Sequence, residues 1–313
     1  MIAKRMTTSL TFQSTSKPPP AQATMTTTTY SSYAVIGAGG VTVLTRDESK
    51  VELQALKNRG ATLVQVDYDD TEAVTKALAG IEAVTSDLTV KRLNRVSAVG
   101  PFAVPKQDTL VHAAKAAGAQ LFVPAEFGLR ANDGGHVYKV AVETLLKEVE
   151  LPFTIFYTGL FFEYIPEYYP SLTSASFDSI LQHNYAEGKA NVVGDGKAKF
   201  SLTLRSEIGR FAAHALATAP KADLEWAKIP FEGDRKSALE LIAIAENKFG
   251  KKIDITFVDY EENKKGYETD HRSFISTRFA DGRGVPGSDE EIATAKAKYF
   301  PEWNPTSYEA FFQ

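Results

Sequence analysis

With 313 residues, 43% of them hydrophobic and 24% charged, the chain can bury a sizeable core and suits one large domain or two unequal ones. It has no cysteine, which excludes disulfides, thiol catalysis and thiolate metal sites, and no apolar run reaches the roughly 18 residues of a membrane span. Residues 1–46 carry Lys4, Arg5, Lys17 and Arg46 and no acid, so 31 basic residues face 39 acidic ones in 47–313, a net of −8 that argues against nucleic acid as a partner.

Residues 1–30 are rich in Ser, Thr and Pro and too poor in apolar side chains to fold alone, so a disordered tail is expected there, with Met25 as an alternative initiator. Lack of acids would also suit a mitochondrial transit peptide over residues 1–24. Few arginines and no clear amphipathic helix make that the lesser reading, and a cytoplasmic protein is expected.

Next come two short β-branched, apolar runs, 33–36 and 41–45, on either side of Gly37, Gly39 and Gly40. These glycines supply the backbone freedom and close approach of a phosphate-cradling loop. In a complete βαβ unit the loop opens a helix, and the ribose-reading residue stands about 20 residues after the first glycine. Here Arg46 follows Gly37 by only nine. Parallel strands ordinarily need a crossover of about a dozen residues or more. The alternatives are therefore an antiparallel hairpin, or a nucleotide-binding protein whose first crossover helix is missing and whose sheet face is left exposed.

From residue 47 strands and helices alternate. Asp47 or Ser49 should cap a helix through Leu56, 62–66 reads as a strand, 71–80 as a helix and 81–85 as a strand. After the basic insertion at 86–97 follow a helix at 108–117, a strand at 120–123, a helix at 136–150 and a strand at 153–156. Repeated β-then-α units mean a parallel, doubly wound sheet with its ligand at the carboxyl ends of the strands. Beyond it, strands are expected at 190–193, 200–203, 226–231 and 253–258, and helices at 206–217, 236–249 and 289–299.

Several fragments in order resemble the NmrA-like and isoflavone-reductase-like branch of the atypical short-chain dehydrogenases. They are VIGAG (35–39), VLTR (43–46), VDYD (66–69), VPKQD (104–108), PAEFG (124–128), VYK (137–139), LPFT (151–154) and SEIGRF (206–211). The resemblance implies an α/β Rossmann-like domain over 31–157 that binds NADPH, and a mixed segment, 158–313, that completes the sheet and forms a smaller C-terminal substrate lobe. It also implies cofactor contacts from Gly37, Gly39, Gly40, Arg46, Phe127 and Lys139. Two departures, the lost helix after Gly40 and the insertion at 87–97, suggest a faulty gene model.

Lys139 lies within the helical pattern of Val137, Val140, Ala141, Leu145 and Leu146. In the similar reductases the matching lysine faces the nicotinamide as acid, base or electrostatic stabiliser. The plainer expectation is a solvated lysine paired with Glu143 one turn on. Tyr-x-x-x-Lys spacings at Tyr185/Lys189 and Tyr260/Lys264 fall away from this helix and read as coincidences. After the sixth strand, Tyr157, Phe161, Phe162 and Tyr164 gather at the ligand edge and suit a flat apolar small-molecule substrate, although any one ring is more often core. The five histidines show no metal-ligand spacing, and only His136 lies near the proposed site. The expected activity is reduction of a small aromatic or unsaturated compound. A regulator that binds the nucleotide without turnover and signals to a protein partner is the rival.

Overall fold

A computed structural model describes residues 29–30, 33–36, 42–86, 107–130, 137–165, 183–185 and 187–313. The amino-terminal half alternates β1 (Tyr33–Ile36), β2 (Thr42–Thr45), α1 (Val51–Asn58), β3 (Thr62–Gln65), α2 (Thr71–Ala77), β4 (Ala83–Ser86), α3 (Gln107–Ala116), β5 (Leu121–Val123), α4 (Val137–Glu148) and β6 (Thr154–Tyr157). Then follow β7 (Leu160–Phe161), β8 (His183–Asn184), β9 (Lys189–Val193), β10 (Lys199–Thr203), α5 (Arg205–Thr218), α6 (Lys221–Leu224), β11 (Ala227–Pro230), β12 (Asp234–Ser237) and α7 (Ala238–Phe249). The chain closes with β13 (Asp254–Val258), α8 (Tyr260–Lys264), α9 (His271–Ala280), α10 (Asp289–Tyr299) and α11 (Tyr308–Phe312).

The main sheet runs β3-β2-β1-β4-β5 with every pair parallel. A parallel bridge, Phe122 to Phe153, carries it on to β6, which pairs in parallel with β11. Side-chain alternation makes both faces apolar. Val84, Phe122, Ile155 and Tyr157 face α2, α3 and α4, whereas Ala83, Leu121, Val123 and Phe156 face α5 and the segment from Ala295 to Trp303. Helices on both faces of a parallel sheet make the doubly wound α/β architecture.

Parallel pairing of β1 with β2 overturns the antiparallel hairpin alternative. Only five residues separate these strands, and no helix stands between them among the described residues. A crossover so short is feasible because the strands are short. Thr42 lies opposite Ala34, so the chain must return about 7 Å along the strand and about 5 Å across, well within the roughly 20 Å that six Cα steps span. Nor is β2 left bare: Val43 and Leu44, on opposite faces, are both fully buried.

Three local expectations are corrected. Lys50, not Asp47 or Ser49, stands at the N-cap of α1 and makes no side-chain cap, because Asp47 is occupied accepting the Ser49 amide and hydroxyl at 2.9 and 2.6 Å. Lys236 and Ser237 belong to a strand, since β12 pairs antiparallel with β10, and Ser237 then opens α7 with a capping box. Tyr30, expected in the tail, is instead buried in the α5 face while the Lys221 ammonium lies 4.8 Å over its ring.

A second core gathers β7, β9, β10, α7, α9 and α11 around Phe162, Phe200, Phe274 and Tyr308. Gly159 joins the two cores. Its φ is +72°, and a Cβ there would lie 2.3 Å from the Ser201 carbonyl oxygen, so only glycine lets the chain leave β6 and pack against β10. Among the described residues no helix is long and apolar enough to cross a membrane.

Candidate functional site

Arg46 closes β2 and is exposed, its guanidinium lying 5.0 Å above the ring of Tyr68. Tyr68 is held in turn by donating its hydroxyl to the Leu44 carbonyl at 2.6 Å. Stacking fixes the guanidinium plane and leaves its N–H edges for an anion. Among the described residues Arg46 forms no ion pair.

Lys139 comes from the first turn of α4, and the 124–130 loop at the end of β5 sets its surroundings. Gly128 bridges to Tyr157 and its carbonyl accepts the Thr158 and Gly159 amides at 2.9 and 3.2 Å, so the loop is tied to the carboxyl end of β6. With no side chain on Gly128, Lys139 Nζ comes within 3.7 Å of where a Cβ would stand. It meets Glu126 Oε2 at 3.6 Å, and the two side chains are only 12% and 4% exposed. The expected pairing with Glu143 does not form. Glu143 takes Lys147 at 2.7 Å and Lys228 at 2.8 Å instead, which leaves Lys139 directed at the sheet edge.

Burial pushes the Glu126 carboxyl up to about 7, against the opposing pull of Lys139. Beside it Tyr157 is pushed up by burial and by the Glu126 and Glu143 carboxylates, despite Arg130, which lies 5.4 Å over its ring. Its phenol therefore remains protonated. Arg130 also donates to the Pro286 carbonyl at 2.6 Å and to Glu291 at 2.8 Å, which anchors the loop to the segment before α10.

Three buried polar atoms at this edge have no hydrogen-bond partner among the described residues: Ser86 Oγ at the end of β4, Gln107 Nε2 at the start of α3, and Glu126 Oε1. The other end of the Gln107 amide accepts the Ala125 amide at 2.9 Å. Burying such atoms unpaired costs about 1–3 kcal/mol each. All three lie near the carboxyl ends of parallel strands, where a polar ligand would relieve them.

Of the residues expected from sequence, Lys139 stands here and Arg46 on the same edge, at the end of β2, three strands from β5. Phe127 does not join them, because its ring stacks on Phe156 at 6.0 Å, on the sheet face that α5 covers. Phe162 is corrected from pocket wall to core: it is fully buried between Tyr308 and Phe311. Tyr157 is buried beneath Arg130, while Phe161 and Tyr164 stack at 5.3 Å and stay half-buried. Gly37, Gly39, Gly40, His136 and the insertion at 87–97 lie outside the described residues. Tyr185 is buried in the second core, and Tyr260 donates its hydroxyl to Asp281 at 3.0 Å, so neither Tyr-x-x-x-Lys spacing reaches the site. Sequence reasoning missed Glu126 as a functional group, although a lone carboxylate within the apolar run 121–129 was a visible signal.

The model of the NmrA-like family matches residues 33–312. The chain belongs to the NmrA-like family. An isoflavone reductase homolog of Arabidopsis thaliana is 24% identical over 229 residues, 69% of this chain and 67% of the relative. A pinoresinol reductase of the same plant is 24% identical over 251 residues, covering 74% and 75% of the two chains. The chain thus spans about two thirds to three quarters of the length of these relatives. Among solved structures, the binary complex of leucoanthocyanidin reductase with NADPH from Vitis vinifera superposes with a TM-score of 0.68, covering 90% of this chain and 97% of that one at 21% identity. The shared architecture is the Rossmann-like fold described above.

Proposed function

We propose that this NmrA-like protein is an NADPH-dependent reductase of a small aromatic or unsaturated compound, with Lys139 as the group that stabilises or protonates the anion formed on the substrate. The supporting observation is Lys139 itself, a nearly buried ammonium drawn away from Glu143 and aimed at the carboxyl edge of the sheet. Leucoanthocyanidin reductase holds NADPH on the same fold. The residues present fit that nucleotide at both ends. Arg46 suits a 2′-phosphate, which NADH lacks, and the unpartnered Ser86, Gln107 and Glu126 atoms offer polar contacts near Lys139.

When bound, the nucleotide would supply hydride. The chain supplies the rest. Lys139 Nζ places positive charge where negative charge develops, a contribution typically worth about 10²–10⁴ in rate. Phe161 and Tyr164 give a stacked, half-buried apolar wall for a flat substrate.

The five-residue link between β1 and β2 favours a second reading. Without a helix after Gly40 the pyrophosphate loses the free amides and partial positive charge that usually hold it, and a weak nucleotide binder suits a regulator that signals to a protein partner. Titration with NADPH and NADH, followed by NADPH oxidation across aromatic enones, ethers and quinones, separates the two. Turnover that falls at least about tenfold in Lys139→Ala, with an unchanged melting temperature, supports the reductase. Binding without turnover, together with a co-purifying partner, overturns it.

A further inference from the structure

Neither resemblance nor sequence spacing assigns Glu126 a task. Its position is nevertheless costly. The carboxyl is almost wholly buried, one oxygen has no partner among the described residues, and the other meets Lys139 Nζ at 3.6 Å, an ion contact slightly too long for a hydrogen bond. A permanently charged pair would be expected to close that gap and to satisfy both oxygens.

We infer that Glu126 is the positioning partner of Lys139 and holds a proton in reserve for it at the edge where the substrate is reduced. This rests on the reductase reading for its role in turnover, but the pairing itself can be tested without turnover.

The surroundings of Glu126 are mixed in charge. From α4 come Lys139 and Glu143, from β11 Lys228, and from β6 Tyr157 with Arg130 over its ring. Lys139 and Lys228 favour the carboxylate, whereas Glu143 and burial oppose it, and burial is the largest influence. The balance raises the carboxyl to about 7, so Glu126 holds its proton well above the ordinary carboxylate range.

A bound nicotinamide would supply the hydride, and its addition to an electron-poor substrate carbon would leave an electron pair on the substrate. That pair takes a proton from Lys139 Nζ as its N–H bond breaks. A flat substrate lying over Lys139 excludes water from the amine, so the Glu126 carboxyl, the acid beside it, returns the proton to Nζ and becomes a carboxylate. Solvent restores the carboxyl proton after the product leaves. As the pH rises through the Glu126 value the reserve empties, and the rate should drop to a lower plateau.

The decisive measurement is the carboxyl carbon titration of Glu126 by NMR, with glutamate ¹³C-labelled in the full chain without nucleotide and the resonance assigned by its loss in Glu126→Gln. Its midpoint is expected near pH 7, and in Lys139→Met it should rise by about 1–3 pH units because the neighbouring cation is gone. A midpoint in the ordinary carboxylate range, or one that Lys139→Met leaves in place, overturns the inference whether or not the protein reduces anything. Where turnover is found, kcat should fall through an inflection near pH 7. At saturating nucleotide, Glu126→Gln should show a flat profile at the wild type's alkaline plateau. An inflection that persists in Glu126→Gln overturns the reserve role, while absent turnover with the raised, Lys139-dependent Glu126 midpoint intact refutes only the reductase reading.

Discussion

Replacing Glu126 with glutamine should make the protein relatively more stable as the pH rises. Burial raises the carboxyl from 4.5 to about 7 in the folded state. A raised folded value means that the stability contribution is complete below the unfolded value and is lost as pH climbs through the folded one, so the window runs from about 4.5 to 7. At 1.36 kcal/mol per unit, the shift corresponds to about 3 kcal/mol across the whole window and to about 2–3 kcal/mol between pH 5 and pH 8. Glutamine preserves the shape and cannot ionise. The stability difference, variant minus wild type, should therefore increase by that amount between the two pH values, measured by urea unfolding at constant ionic strength. Any pH-independent cost of the amide cancels in this comparison. A change below about 1 kcal/mol, or one of opposite sign, would show that Glu126 is not buried as an acid and would refute the reasoning.

The remaining expectations concern other parts of the chain. Arg46→Ala should weaken NADPH binding by about tenfold or more and leave NADH nearly unaffected, because a charge-assisted grip is worth about 1.5–3 kcal/mol; equal losses for the two nucleotides in parallel titrations would place the 2′-phosphate elsewhere. Gly159→Ala meets both a positive φ and the Ser201 carbonyl, so it should cost about 2 kcal/mol or more, read from chemical denaturation. Starting the chain at Met25 should leave the melting temperature unchanged, whereas Tyr30→Ala should cost about 3 kcal/mol by removing a ring from the α5 face. A loss on truncation as large as that from Tyr30→Ala would assign the earlier residues to the core.

The order of elements was largely legible in the sequence because hydrophobic period and helix stops are local. The residues from 108 to 117, for instance, announce α3 by apolar spacing and a following glycine, and α10 lies where Ser288 and the acidic first turn put it. The family was legible for a similar reason, since motifs such as PAEFG and VYK stand in order along the chain. Tertiary structure alone decided the direction of β2 against β1, because five intervening residues permit either a hairpin or, when strands are this short, a parallel return. It also decided the short edge strand β12, whose polar residues Asp234, Arg235 and Lys236 gain strand geometry only from pairing with β10. Above all it decided the partner of Lys139. Spacing along a helix favours Glu143, four residues on, but Lys228 from a distant strand claims Glu143, and the loop after β5 brings Glu126 into the buried position beside the amine. Pairing between groups far apart in the chain depends on which surfaces pack together, and local sequence carries no record of that.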